Sequence, residues 1–171
     1  MEEEKTLFDE VALDTYDAAD KPFDFVEEGG TTALICESDP AIRAKISSAL
    51  TGMGYQVTEP AAARDALKNM RFHVYDVVVV NDNFDRSGKE ANAVLDYLEN
   101  LSMSTRRQIF VAMISDTYRT LDNMAAFHRS VNITINMKNI DDVDKIIAQG
   151  KDDTEAFYHI FRETMKKTSR I

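Results

Sequence analysis

The chain is poor in the residues that build covalently stapled or metal-stapled folds. It has one cysteine, Cys36, no tryptophan, three prolines and six glycines in 171 residues. One cysteine excludes an intrachain disulfide and a cysteine-rich zinc site. The three histidines, His73, His128 and His159, share no ligand spacing. No apolar run approaches the roughly 20 residues that span a bilayer. The glycine-rich dinucleotide fingerprint, the phosphate loop and the G-x-S-x-G nucleophile elbow are all missing, which counts against nucleotide enzymes and serine hydrolases. An excess of positive charge is also lacking. Thirty acids against twenty bases give a net charge of −10, so a broad nucleic-acid-binding face is not expected. The opening Met1-Glu2-Glu3-Glu4-Lys5 is acidic where a secretory signal is basic and then apolar. The expectation is a cytoplasmic protein with no membrane contact.

The charge is unevenly placed. Residues 1–30 hold eleven acids and only Lys5 and Lys21 as bases, whereas the other 141 residues are almost neutral. The first segment repels itself and is short of apolar residues for a core. It closes on Gly29-Gly30, which is read as a flexible boundary. Residues 1–30 are thus expected to be an acidic tail or linker, and residues 31–171 one compact domain. Phe8, Tyr16, Phe23 and Phe25 punctuate the acidic segment. Two readings of them stay open: a solvated linker whose aromatics rest on the domain, and a short acidic-aromatic motif that docks on a partner.

Beyond residue 30 the pattern alternates between strand and helix. Thr32 to Cys36 reads as a buried strand. Asp39-Pro40 opens a helix in which Ile42, Ile46, Leu50 and Met53 recur at helical spacing. Tyr55 to Thr58 reads as a short strand and Ala61 to Met70 as a second helix. Val77-Val78-Val79-Val80 suits a strand covered on both faces. A third helix after Gly88 lines up Val94, Leu95, Leu98 and Leu101. Ile109 to Ile114 is a fourth strand, Leu121, Met124, Ala125 and Phe127 fall in a fourth helix, and Val131 to Ile135 is a fifth strand. A last helical region over residues 141–167 is expected to break near Gly150, with Phe157, Ile160, Phe161 and Met165 on one stripe. Five strands joined by helical crossovers imply a doubly wound α/β domain: a five-stranded parallel sheet with helices on both faces. Eight repeats will not fit, so a TIM barrel is excluded. Binding is expected at the carboxyl ends of the strands.

Those ends carry Glu37-Ser38-Asp39, Asn81-Asp82-Asn83, Ser115-Asp116 and Lys138. An acidic cluster, a hydroxyl and a lysine are expected to meet on one rim. The order resembles the receiver domain of two-component response regulators, which has a flavodoxin-like fold. Residues 33–43 resemble that family's first strand, acidic pair and opening helix. Residues 75–81 resemble the strand leading to its phospho-acceptor. Residues 111–115 resemble its fourth strand with a hydroxyl, and Met137-Lys138 its lysine. The resemblance covers residues 31–149.

It implies a signalling protein rather than an enzyme, with a protein partner or a second copy meeting the fourth helix, fifth strand and last helix. The acceptor position falls on Asn81, whose amide cannot serve as the nucleophile and brings no charge to a metal. Glu37 keeps one carboxylate of the acidic pair, while Ser38 replaces the other. Asn139 stands where the family has a proline, and the aromatic switch position falls on Ile135. Ser115 and Lys138 remain. The pattern is that of a degenerate receiver, acting through protein binding without phosphorylation, metal or cofactor. In the alternative, a one-residue slip makes Asp82 the acceptor, with Mg²⁺ held by Glu37 and Asp82. The bland roles are turn and helix capping for Asp82 and Asp85, and a salt bridge from Lys138 to Glu37 or Asp82.

Overall fold

The computed structural model describes residue 11, residues 30–86 and residues 92–168. The expected helix start at Gly88 and the aromatics of the acidic segment lie outside these residues.

Five strands form one sheet: β1 (Thr32–Cys36), β2 (Gln56–Thr58), β3 (Val77–Asn81), β4 (Phe110–Ser115) and β5 (Ile133–Asn136). Every pairing is parallel and the order is β2-β1-β3-β4-β5. The helices are α1 (Pro40–Gly52), α2 (Ala63–Phe72), α3 (Ala93–Glu99), a single turn α4 (Met103–Arg106), α5 (Asn123–His128) and α6 (Val143–Lys167), with a 3₁₀ stretch at Met137–Asp142. This is the doubly wound architecture read from the alternation of apolar runs. The strand order reverses direction between β1 and β3, and that crevice is where such sheets bind.

The valine run shows why the sheet is covered twice. Val78 and Val80 point into one cluster with Leu34, Cys36, Val111 and Met113, packed under Leu67 and Met70 of α2 and Leu95 and Leu98 of α3. Val77 and Val79 point into the other, with Ile35, Ala112, Ile114 and Ile135 under Ile46 and Leu50 of α1 and Val143 and Ile147 of α6. A fully buried aliphatic side chain contributes about 1.5–3 kcal/mol. Slipping β3 by one residue would exchange these two sets. Val11, from the acidic segment, is buried in the first cluster, and the Arg71 guanidinium donates to its carbonyl at 2.7 Å.

Local chemistry sets the element ends. Asp39 caps α1 by accepting from the N–H groups of Ala41 (2.8 Å) and Ile42 (3.2 Å), and Pro40 opens it. Gly54, at φ +90°, makes the turn that no side-chain-bearing residue favours. Leu121 lies outside α5 at φ +57°, because Asp122 caps that helix and Leu121 N–H is held by Thr134 C=O. Ala125 and Ala126 are the buried residues of α5, while Met124 and Phe127 face outward. Arg106 is tied to the carbonyls of Ile109 and Ser130 and so holds together the loops that lead into β4 and β5.

The expected break at Gly150 does not occur: α6 runs unbroken for 25 residues. Gly150 serves packing instead. A Cβ there would stand 2.8 Å from Ile133 Cγ2 and 3.0 Å from Phe110 Cζ, so only glycine lets α6 approach the starts of β4 and β5 this closely. Gly52 differs, since a Cβ added there meets nothing within 4 Å.

The two glycines are predicted to respond in opposite directions. Gly150→Val should lower stability by about 1–3 kcal/mol through overpacking. Gly52→Ala should raise it by about 0.4–1 kcal/mol through the unfolded state. Urea unfolding of both variants checks this, and equal shifts would show that α6 does not need the close approach.

Candidate functional site

The rim is built by the ends of β1, β3 and β4. Their register sets Cys36 beside Val80 and Asn81 beside Ile114, so Glu37, Asn81, Asp82 and Ser115 emerge at one edge of the sheet. Glu37 and Asn81 are buried, as is Ser115.

Two contacts organise the group. The Asn81 amide Nδ2 donates to Glu37 Oε2 at 2.7 Å, and the backbone N–H of Asp39 donates to Glu37 Oε1 at 2.9 Å. Both oxygens of that carboxylate are therefore occupied by protein donors. The other end of the same amide, Asn81 Oδ1, accepts from Asn83 N–H at 2.9 Å. In the second contact, Ser115 Oγ donates to Asp82 Oδ2 at 2.7 Å. Ser115 Oγ also accepts from Thr117 N–H at 3.2 Å and lies 3.0 Å from Thr117 Oγ1. Asp82 Oδ1 is enclosed and has no hydrogen-bond partner among the described residues. A hydrogen bond to a charged group contributes about 1.5–3 kcal/mol, so the Asn81–Glu37 contact is a strong local tie.

The structure thus pairs Glu37 with Asn81 and Asp82 with Ser115. Ser38 is exposed and takes no part in these contacts. Lys138 also stands apart. It lies exposed on the 3₁₀ stretch and, among the described residues, makes no ion pair with Glu37 or Asp82. The residue beside Ser115 in the ladder is Asn136, two positions earlier. Asn136 Nδ2 donates to the Tyr118 carbonyl at 2.7 Å and its Oδ1 accepts from Lys138 N–H at 3.0 Å. The lysine is carried past the strand end by that turn.

Asp85 caps a helix, but the one before it in sequence. At φ +46° its Oδ2 accepts from Ala63 N–H at 2.7 Å, supplying α2 with the cap that Ala62 cannot give. Asn92 was missed by sequence reasoning. Its Oδ1 caps α3 through Val94 and Leu95 N–H, while Nδ2 donates to the carbonyls of Asn81 (2.9 Å) and Asp82 (3.3 Å). An Asn just before the apolar run Val94-Leu95 was the available signal, a preferred N-cap type in the right place.

Cys36 ends β1 fully buried, and burial pushes its thiol far above the ordinary range, which rules it out as a nucleophile in this state. Among the described residues, no three His, Cys, Asp or Glu side chains gather as a metal cluster. No helix among them is long and apolar enough to cross a membrane.

No protein-family model matches the chain, and no curated protein matches it. Solved structures do. A CheY-like response regulator receiver domain protein from Methanospirillum hungatei JF-1 is 20% identical with a TM-score of 0.55, covering 74% of this chain and 97% of that one. The receiver domain of Francisella response regulator 1452 is 16% identical with a TM-score of 0.56, covering 72% and 98%. HP1043, an orphan response regulator of H. pylori, is 20% identical with a TM-score of 0.54, covering 71% and 97%. The chain therefore has the fold of response regulator receiver domains.

The Asn81–Glu37 contact generates a pH-dependent prediction. Asn81→Asp sets two buried carboxylates against each other, and one must hold a proton for the contact to survive. Its proton affinity is then higher folded than unfolded. The variant should come closest to wild type below about pH 4, and fall behind as pH rises, by about 1.5–3 kcal/mol at pH 7.5. Paired urea unfolding series at pH 4 and pH 7.5 check the sign. A gap that narrows with rising pH would contradict the contact.

Proposed function

We propose that this chain is a signal-transduction module with a receiver fold that acts by binding another protein, without phosphoryl transfer at its rim. The observation that carries this reading is the Asn81 amide bonded to the Glu37 carboxylate where a receiver needs an ionised acceptor beside a metal. Magnesium takes about six oxygen ligands in near-octahedral geometry and favours carboxylates. The residues present do not fit it. Both Glu37 oxygens are engaged, and Asn81 turns N–H groups towards the space between them. Ser38 adds no carboxylate.

The alternative acceptor, Asp82, is also poorly disposed for attack. One of its oxygens is held by Ser115 and the other is enclosed. The hydroxyl that would otherwise meet an incoming phosphoryl group is spent on the acceptor itself. Lys138 is exposed on the 3₁₀ stretch and, among the described residues, makes no ion pair with Glu37 or Asp82.

Partner binding falls to the surface that remains apolar and open. Met124 and Phe127 of α5 and Phe157, Ile160 and Phe161 of α6 are exposed. β5 is an edge strand between those helices in sequence, with its side chains largely buried. A protein partner or a second copy meeting the α5, β5 and α6 side fits both the receiver fold and this exposure. The setting is cytoplasmic, with no nucleic acid, membrane, cofactor or enzymatic activity required.

Incubation with a small phosphodonor and Mg²⁺ is predicted to leave the intact mass unchanged. Asn81→Asp combined with Ser38→Asp should gain Mg²⁺ binding by calorimetry, because two carboxylates join Glu37. One labile phosphoryl group mapped to Asp82 of the wild-type chain would overturn the reading.

A further inference from the structure

The helix α6 has two halves in different circumstances. Its first half packs on the sheet through Val143, Ile147 and Gly150. Gly150 lies against the starts of β4 and β5, and α6 runs opposite to the strands, so the helix leaves the sheet at this point. Beyond it the packed face continues through Tyr158, Phe161 and Met165, where the Arg107 guanidinium lies 5.0 Å over the Phe161 ring, and an adjoining exposed stripe runs through Phe157, Ile160 and Thr164. Phe157 is 79% exposed and Ile160 75% exposed. A helical extension of this length is marginal in water unless an apolar face is covered. Its local ion pairs, His159–Glu163 and Lys167–Glu163, are exposed and contribute little.

The charges along this extension are polarised. Asp152, Asp153 and Glu155 stand at its start, and Arg162, Lys166 and Lys167 towards its end, with Lys151 and Glu163 the exceptions. A parallel neighbour of the same sequence would set acid on acid and base on base. An antiparallel neighbour sets each acidic end on a basic end, and a twofold axis makes the two contacts identical. With that axis close to Phe161, Phe157 of one copy reaches Met165 of the other, and Asp153 approaches Lys167.

We infer that the distal half of α6 is a self-association surface, pairing antiparallel with the same segment of a second copy of this chain. The inference deepens the binding reading by naming a partner. It is independent of the rim chemistry, because a phosphorylated rim would leave the stripe and its charges where they are.

The full-length chain is the material for the test. Sedimentation equilibrium should show a mass rising with concentration to about twice the 19.3 kDa of one chain. Phe157→Glu with Ile160→Glu, at positions outside the core, should weaken association by at least about tenfold, with unchanged circular dichroism. Orientation is read by mixing an Asp153→Cys chain with a Lys167→Cys chain under mild oxidation. Cys36 is buried and does not compete. The mixed disulfide should form in preference to either homodisulfide. A monomer at every concentration, a dimer indifferent to the double glutamate variant, or preferred homodisulfides would each overturn the inference.

Discussion

The four valines of β3 sit between β1 and β4 with an apolar layer on each face, and everything at the rim depends on where that strand stops. Val78 and Val80 are locked under α2 and α3, and Val77 and Val79 under α1 and α6. A shift of one residue would exchange the two sets, and neither layer is shaped for the other. The backbone position of Asn81 is thereby fixed opposite Ile114, one residue past the last valine. From there its amide has Glu37 within reach, and Asp82 follows with Ser115. The core thus decides which side chain occupies the middle of the binding edge, and the occupant is an amide.

An amide in that place converts the edge from a charge-concentrating site into a hydrogen-bonded one. Three ionised carboxylates crowded together repel one another until a cation joins them. Here one carboxylate and one amide satisfy each other, with backbone N–H groups filling the remaining acceptors. Asn92 adds a second restraint by bonding the Asn81 and Asp82 carbonyls from the start of α3. Glu37 and Asn81 are wired to their own chain, whereas Asp82 Oδ1 is the acceptor at this edge that the described residues leave unpaired. Exposed apolar area lies elsewhere, on α5 and the far half of α6.

The fold was legible because its signals were local and repeated. The valine run, the Asp39-Pro40 helix opening and the alternation of strand with helix all appear in the sequence as they do in space. The rim was legible as a set of residues but less so as a geometry. Lys138 was expected at the rim because it follows the last strand closely; the ladder position beside Ser115 is held by Asn136, and Lys138 lies exposed on the 3₁₀ stretch that follows. Gly150 carried a misleading signal. Glycine within a helical pattern suggests a break, and only the approach of Ile133 and Phe110 reveals that its lack of a side chain is a packing requirement. The stripe on α6 had the spacing of a core face, and spacing alone does not tell whether a sheet lies beneath it. Val11 belongs to a segment whose composition argues against a core, and one apolar side chain docking on a distant helix leaves no periodic trace.

The central claim is that the Asn81–Glu37 and Ser115–Asp82 hydrogen bonds hold the rim without a bound metal or phosphoryl group. Amide chemical shifts of Glu37, Asn81, Asp82, Ser115 and Thr117 in the full-length chain, followed through a titration with Mg²⁺ and then beryllofluoride, test it most directly. The account predicts that these five resonances stay in place through both additions. Saturable shifts at Asp82 and Ser115 that require both Mg²⁺ and beryllofluoride would contradict it.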